Sequence, residues 1–154
     1  MRIEFSILMR PLVLSAFFFL PVAFALPAQA GDLKLEALLI WGTDDPKSPD
    51  PNHKPAPPDV EKKLKSLPLK WNHFFEVNRQ QFAVAENGST TVTMSKDCVI
   101  TVKNLGDTKV EVGLVGKGER TCKITRPLPK GELLVTGGNA PNVTGWFVVL
   151  RQVQ

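Results

Sequence analysis

Thr90-Thr91-Val92-Thr93-Met94, Cys98-Val99-Ile100-Thr101-Val102, Lys109-Val110-Glu111-Val112-Gly113-Leu114 and Thr121-Cys122-Lys123-Ile124-Thr125 follow one another between residues 90 and 125. Each run is short and rich in β-branched side chains, which suit a pleated, half-buried surface. Gly106-Asp107 separates the second from the third, and Gly116-Lys117-Gly118 the third from the fourth. Glycine turns of this kind reverse a strand into an antiparallel neighbour. This stretch predicts a series of hairpins.

The same grammar extends outward. Upstream, Trp71, His73, Phe75 and Val77 alternate, Phe82 and Val84 resume after a polar stretch, and Asn87-Gly88 marks a tight turn. Downstream, Pro127 to Gly131 is a break, Glu132 to Thr136 a strand, Gly137 to Gly145 a loop, and Trp146-Phe147-Val148-Val149-Leu150 a last buried strand. Near residue 30, Leu33, Leu35, Ala37, Leu39 and Trp41 share one face at period two. Lys34 and Glu36 occupy the other, exposed face, which turns apolar at Leu38 and Ile40. Turn signals at this spacing predict a mainly β fold, an antiparallel β-sandwich or barrel-like domain.

Two segments break the pattern. Residues 43–58 carry Pro46, Pro49, Pro51, Pro55, Pro57 and Pro58 among polar residues. Proline lacks the donor that a ladder needs, so this reads as a long exposed loop. Residues 59–67 read as the one short α-helix, capped by Asp59, with Val60, Leu64 and Leu67 on a single stripe and Lys62, Lys63 and Lys65 outward. Two turns of helix are unstable alone, so this one must dock on the sheet.

Residues 1–30 read as a signal peptide: Arg2 and Arg10 around an apolar run, then Ala28-Gln29-Ala30 ahead of Gly31. Pro21 and Pro27 interrupt the run short of the roughly 20 apolar residues that a spanning helix needs. The expectation is therefore a single β-rich domain over residues 31–154, periplasmic or secreted, with no stable membrane insertion after cleavage. The whole chain has a formal net charge of +4, and loss of Arg2, Arg10 and Glu4 lowers it by one. So small a surplus gives no case for a nucleic-acid partner.

Cys98 and Cys122 both fall in the exported part, where an oxidising compartment favours a disulfide. Geometry sets a condition on it. In a flat meander the two cysteine strands would stand two spacings apart, roughly 9.6 Å, while a disulfide needs Cα atoms within about 7 Å. A Cys98–Cys122 bond therefore requires the two strands to face each other across sheets; a simple meander requires free thiols.

No motif carries chemistry. His53 lies in the proline loop near Asp44, Asp45 and Asp50, at spacings that match no metal pattern, and it reads as solvated. His73 alternates with Trp71 and Phe75 and reads as a strand residue. No Gly-x-Ser-x-Gly, His-Glu-x-x-His or Cys-x-x-Cys is present. Gly116-Lys117-Gly118 lacks the spacing and the following helix of a phosphate loop. Hence no catalytic residue, metal ligand or cofactor is expected. Trp41, Trp71 and Trp146 stand in alternating strands and read as core, with a sugar-stacking platform as the alternative.

Leu35-Glu36-Ala37-Leu38-Leu39-Ile40-Trp41-Gly42-Thr43 and Leu67-Pro68-Leu69-Lys70-Trp71 resemble a group of uncharacterised exported bacterial proteins, in which a strand, a polar loop, a short helix and several strands follow a signal peptide. The resemblance implies export and no activity. The resulting expectation is a non-enzymatic binding or structural component of the cell envelope, with an envelope protein or glycan as partner. The alternatives are a carbohydrate-binding module using its tryptophans, or a small hydrolase. The two long loops, 43–58 and 137–145, are the surfaces to suspect, because binding residues concentrate on loops held by a scaffold.

Overall fold

The computed structural model describes residues 31–140 and 142–153; the leader expected over residues 1–30 lies outside them. In chain order the elements are β1 (Leu33–Thr43), β2 (Lys54–Pro55), α1 (Pro58–Ser66), β3 (His73–Val84), β4 (Ser89–Ser95), β5 (Cys98–Asn104), β6 (Lys109–Gly116), β7 (Glu119–Pro127), β8 (Leu134–Asn139) and β9 (Gly145–Gln152). They form two antiparallel sheets, ordered β2-β3-β1-β9-β8 and β4-β5-β6-β7. The mainly β, sandwich-like architecture with one helix is the one that the strand spacing predicts.

The alternation in β1 sets the layers. Leu35, Ala37 and Leu39 turn inward and join Met94, Ile100, Val102, Val112 and Leu114 of the four-stranded sheet in one buried core. Leu38 and Ile40 turn outward and meet Val60 and Leu64 of α1, together with Trp71, Phe74 and Phe147. Full burial of an aliphatic side chain is worth roughly 1.5–3 kcal/mol. The docked stripe therefore holds a nine-residue helix that could not persist alone. The helix starts one residue earlier than expected: Pro57 is the N-cap, without a side-chain cap, and Pro58 supplies the preset φ of a first turn. Asp59 pairs instead with Arg151, at 2.6 Å.

Three local readings need correction. Glu36, expected on an exposed face, is only 2% exposed. Arg151 reaches it at 2.6 Å, Gln81 at 3.0 Å and Arg79 at 3.4 Å, and a carboxylate so paired tolerates burial. Burial pushes the Glu36 carboxyl up, but the hydrogen bonds from Gln81 and Arg151 and the charges of Arg151 and Arg79 outweigh it, so it lies below its ordinary value. Next, β3 is one strand through its polar middle. Leu39 pairs with Asn78 and Ile40 with Glu76, so Val77 is an extra bulged residue, and Arg79 and Gln81 are thereby aimed at Glu36. Finally, Gly137 and Gly138 belong to β8 and pair with Phe147 and Trp146. A Cβ on Gly137 would collide with the Trp146 carbonyl oxygen and the Phe147 Cα, so glycine here serves close strand approach.

The cysteines follow from the topology. β5, β6 and β7 are consecutive neighbours, with β6 between the two cysteine strands. Cys98 and Cys122 are free thiols, one buried and one half-buried. The disulfide expectation is corrected for the geometric reason already given: a meander keeps the strands too far apart.

Candidate functional site

At the end of the sandwich where β1 finishes, the inner face of the five-stranded sheet carries a row of aromatics. Trp41 on β1 is in register with Phe75 on β3 at one side and with Trp146 on β9 at the other. Phe75 backs the Trp41 ring at a centroid distance of 6.0 Å. On the four-stranded sheet, Cys98 opens β5 and Gly116 closes β6, directly in register. Large rings on one sheet thus meet small residues on the other, and the layers do not fill the space between them. The result is a cavity of about 460 Å³, walled by Leu39, Trp41, Val77 and Trp146 on one side and Cys98 and Gly116 on the other. Ligand pockets run about 300–1,000 Å³ and are predominantly apolar.

The rim consists of turns and loops. The β4–β5 turn gives Ser95 and Asp97, and the β6–β7 turn gives Lys117. The Lys117 N–H donates to the Asp97 carbonyl oxygen at 2.7 Å, which ties the two turns together. Asn139 and Ala140 come from the end of β8 and the loop that follows, Pro49 and His53 from the proline loop. The two loops that the sequence singles out therefore meet at one cavity.

His53 is not a solvated loop residue. Its ring lies 6.2 Å from Trp41, centroid to centroid, with Nδ1 2.7 Å from Ser48 Oγ and Nε2 3.6 Å from Asp50 Oδ2. The Trp41 contact sets the ring against the cavity wall, while the Ser48 and Asp50 contacts lie within the proline loop itself. Serine, histidine and aspartate together are the residue types of a nucleophile, base and orienting acid, but the arrangement differs. Asp50 lies beyond hydrogen-bond reach of the ring and is 45% exposed. Ser48 Oγ also accepts from the Asp50 N–H at 3.3 Å, as a loop-closing hydroxyl does. His73, the base that a hydrolase reading would use, pairs with Thr43 in the ladder and is not part of the cavity lining.

The three tryptophans divide. Trp71 is buried under the outer face, edge-on to Phe147 at 5.5 Å, and its indole N–H donates to the Val143 carbonyl oxygen at 2.6 Å. Trp41 and Trp146 are half-buried and line the cavity, so the core reading holds for one tryptophan and not for the pair. Cys98, at the cavity wall, is 4% exposed, and burial pushes its thiol up to about 11. At neutral pH it is a protonated, weakly polar group rather than a nucleophile. Among the described residues no three His, Cys, Asp or Glu side chains gather to hold a metal ion, and no helix is long and apolar enough to cross a membrane.

Comparison of the chain with protein families, with curated proteins and with solved structures returns no match.

Proposed function

We propose that this protein is an exported, non-enzymatic binding domain of the cell envelope, and that its site is the cavity between the sheets. The observation that supports this is the opposition of Trp41 and Trp146 to Cys98 and Gly116. It leaves about 460 Å³ of apolar-walled space where two otherwise closed layers end. The gap opens to solvent between the turns and loops of its rim, as ligand pockets do. Export is read from the leader over residues 1–30, and the partner presented with the bound molecule is an envelope protein or glycan.

A thermal-melting screen of small apolar molecules tests the reading. Several should raise the melting temperature of the protein, and none should do so for Ala140→Phe, which puts a ring into the rim. Equal shifts in both proteins would place binding elsewhere. The non-enzymatic part has its own readout: hydrolysis of p-nitrophenyl acetate should be no faster with the protein than with Ser48→Ala. A rate that falls with the Ser48 hydroxyl would make the Ser48–His53 pair catalytic.

A further inference from the structure

We infer that the cavity takes an uncharged, flat, aromatic or fused-ring molecule, rather than an alkyl chain, a sugar or an ion. The inference rests on the binding reading above and names the ligand class. Three observations carry it.

The first is the aromatic wall. Trp41 and Trp146 are register partners on adjacent strands, so their side chains leave the sheet about 5 Å apart at their bases. Both are half-buried and line the cavity across from Cys98 and Gly116. A flat ring that enters gains stacking or edge contacts with indoles beyond the area it buries, which an alkyl chain cannot use.

The second is polarity. The walls at Leu39, Val77, Cys98 and Gly116 offer few hydrogen-bonding side chains. Every hydroxyl of a buried sugar that lost water without a partner would weaken binding. The polar groups that exist lie at the rim, so the ligand has room for a polar edge only at its outer end.

The third is charge. The rim carries one carboxylate, Asp97, and one ammonium, Lys117, on two turns joined by the Lys117 N–H. One charge of each sign leaves the rim without a net charge that would favour an anion or a cation.

Isothermal titration with three uncharged probes, 2-naphthol, dodecan-1-ol and cellobiose, tests the class. The expected result is that 2-naphthol binds at least tenfold more tightly than either of the others. It should also quench tryptophan fluorescence and lose at least tenfold in affinity in both Trp146→Leu and Ala140→Phe. Dodecan-1-ol or cellobiose matching 2-naphthol, with binding abolished by Ala140→Phe, would overturn the ligand class and leave the cavity as a binding site. Binding of 2-naphthol that Ala140→Phe does not change would overturn it too, as would no binding by any probe, and this last result would remove the cavity reading as well.

Discussion

The two ends of the inter-sheet layer are built from the same kind of strand and finish differently. At the end where β1 begins, Leu35, Val84, Val102, Val110 and Leu128 are buried against one another. Asn104 seals that end: its Nδ2 donates to the carbonyl oxygens of Val84 at 3.2 Å and Gly31 at 3.1 Å, and its Oδ1 accepts from the Gly106 N–H at 3.0 Å. At the other end two indoles face a thiol and a glycine, and a cavity opens. The facing side chains differ in size at that end. At this pocket large side chains facing small ones coincide with register shifts in both sheets, at Val77, between Thr93 and Ser95, and between Leu114 and Val115.

The largest effect should come from core truncation at the closed end. Leu35→Ala is expected to cost about 2–5 kcal/mol in urea unfolding, because a fully buried leucine leaves a hole that its neighbours cannot fill. Trp146→Ala removes more atoms yet should cost less, since its ring already borders empty space. A larger loss at Trp146 would break the comparison, for it would mean that the indole is packed as core.

Asn104→Ala comes next, at about 1–3 kcal/mol. It removes one buried and two part-buried hydrogen bonds, to the Val84 and Gly31 carbonyl oxygens and the Gly106 N–H, and no cavity-lining residue is touched. Stability should fall while 2-naphthol affinity stays as it was. A parallel fall in affinity would show that the seal at one end shapes the cavity at the other.

The strands and turns were far more legible in the sequence than the cavity, and the reason is range. Strands and turns are local. The β-branched runs, Gly106-Asp107 and Gly116-Lys117-Gly118 announce the meander β4 to β7 without reference to anything distant. Even the bulge leaves a local trace, since the apolar positions of β3 change parity between Phe75 and Phe82. Gly137-Gly138 misleads because glycine signals a loop as readily as a close approach, and only β9 distinguishes them. Glu36 misleads because its arginine partners lie 43 and 115 residues away. The cavity is hardest of all. Trp41 and Trp146 read as core residues, and Cys98 as half of a disulfide. Their joint meaning depends on which level of one sheet falls opposite which level of the other, a pairing that no local pattern encodes.

The smallest expected effect is at Glu36, beside Leu35 but on the outer face, where it joins β1, β3, β9 and the first turn of α1 through Arg79, Arg151 and, via Arg151, Asp59. Because folding lowers the pKa of this carboxyl, its contribution is fully present above the ordinary carboxylate value of 4.5 and is lost as the pH falls through the lower folded value. Glu36→Gln removes the charge but leaves Arg151 paired with Asp59 and Arg79 with Glu76, so no cation is stranded. The variant should be about 1 kcal/mol less stable at pH 7. The gap from the wild-type protein should narrow as the pH drops below 4.5, closing once Glu36 is protonated in both the folded and unfolded chains. Chemical denaturation at a series of pH values reads the difference directly. A gap that stayed constant into acid would mean that Glu36 contributes through shape rather than charge. Affinity for 2-naphthol should be unchanged throughout, since the network braces the closed end and the helix while the cavity lies at the opposite end of β1.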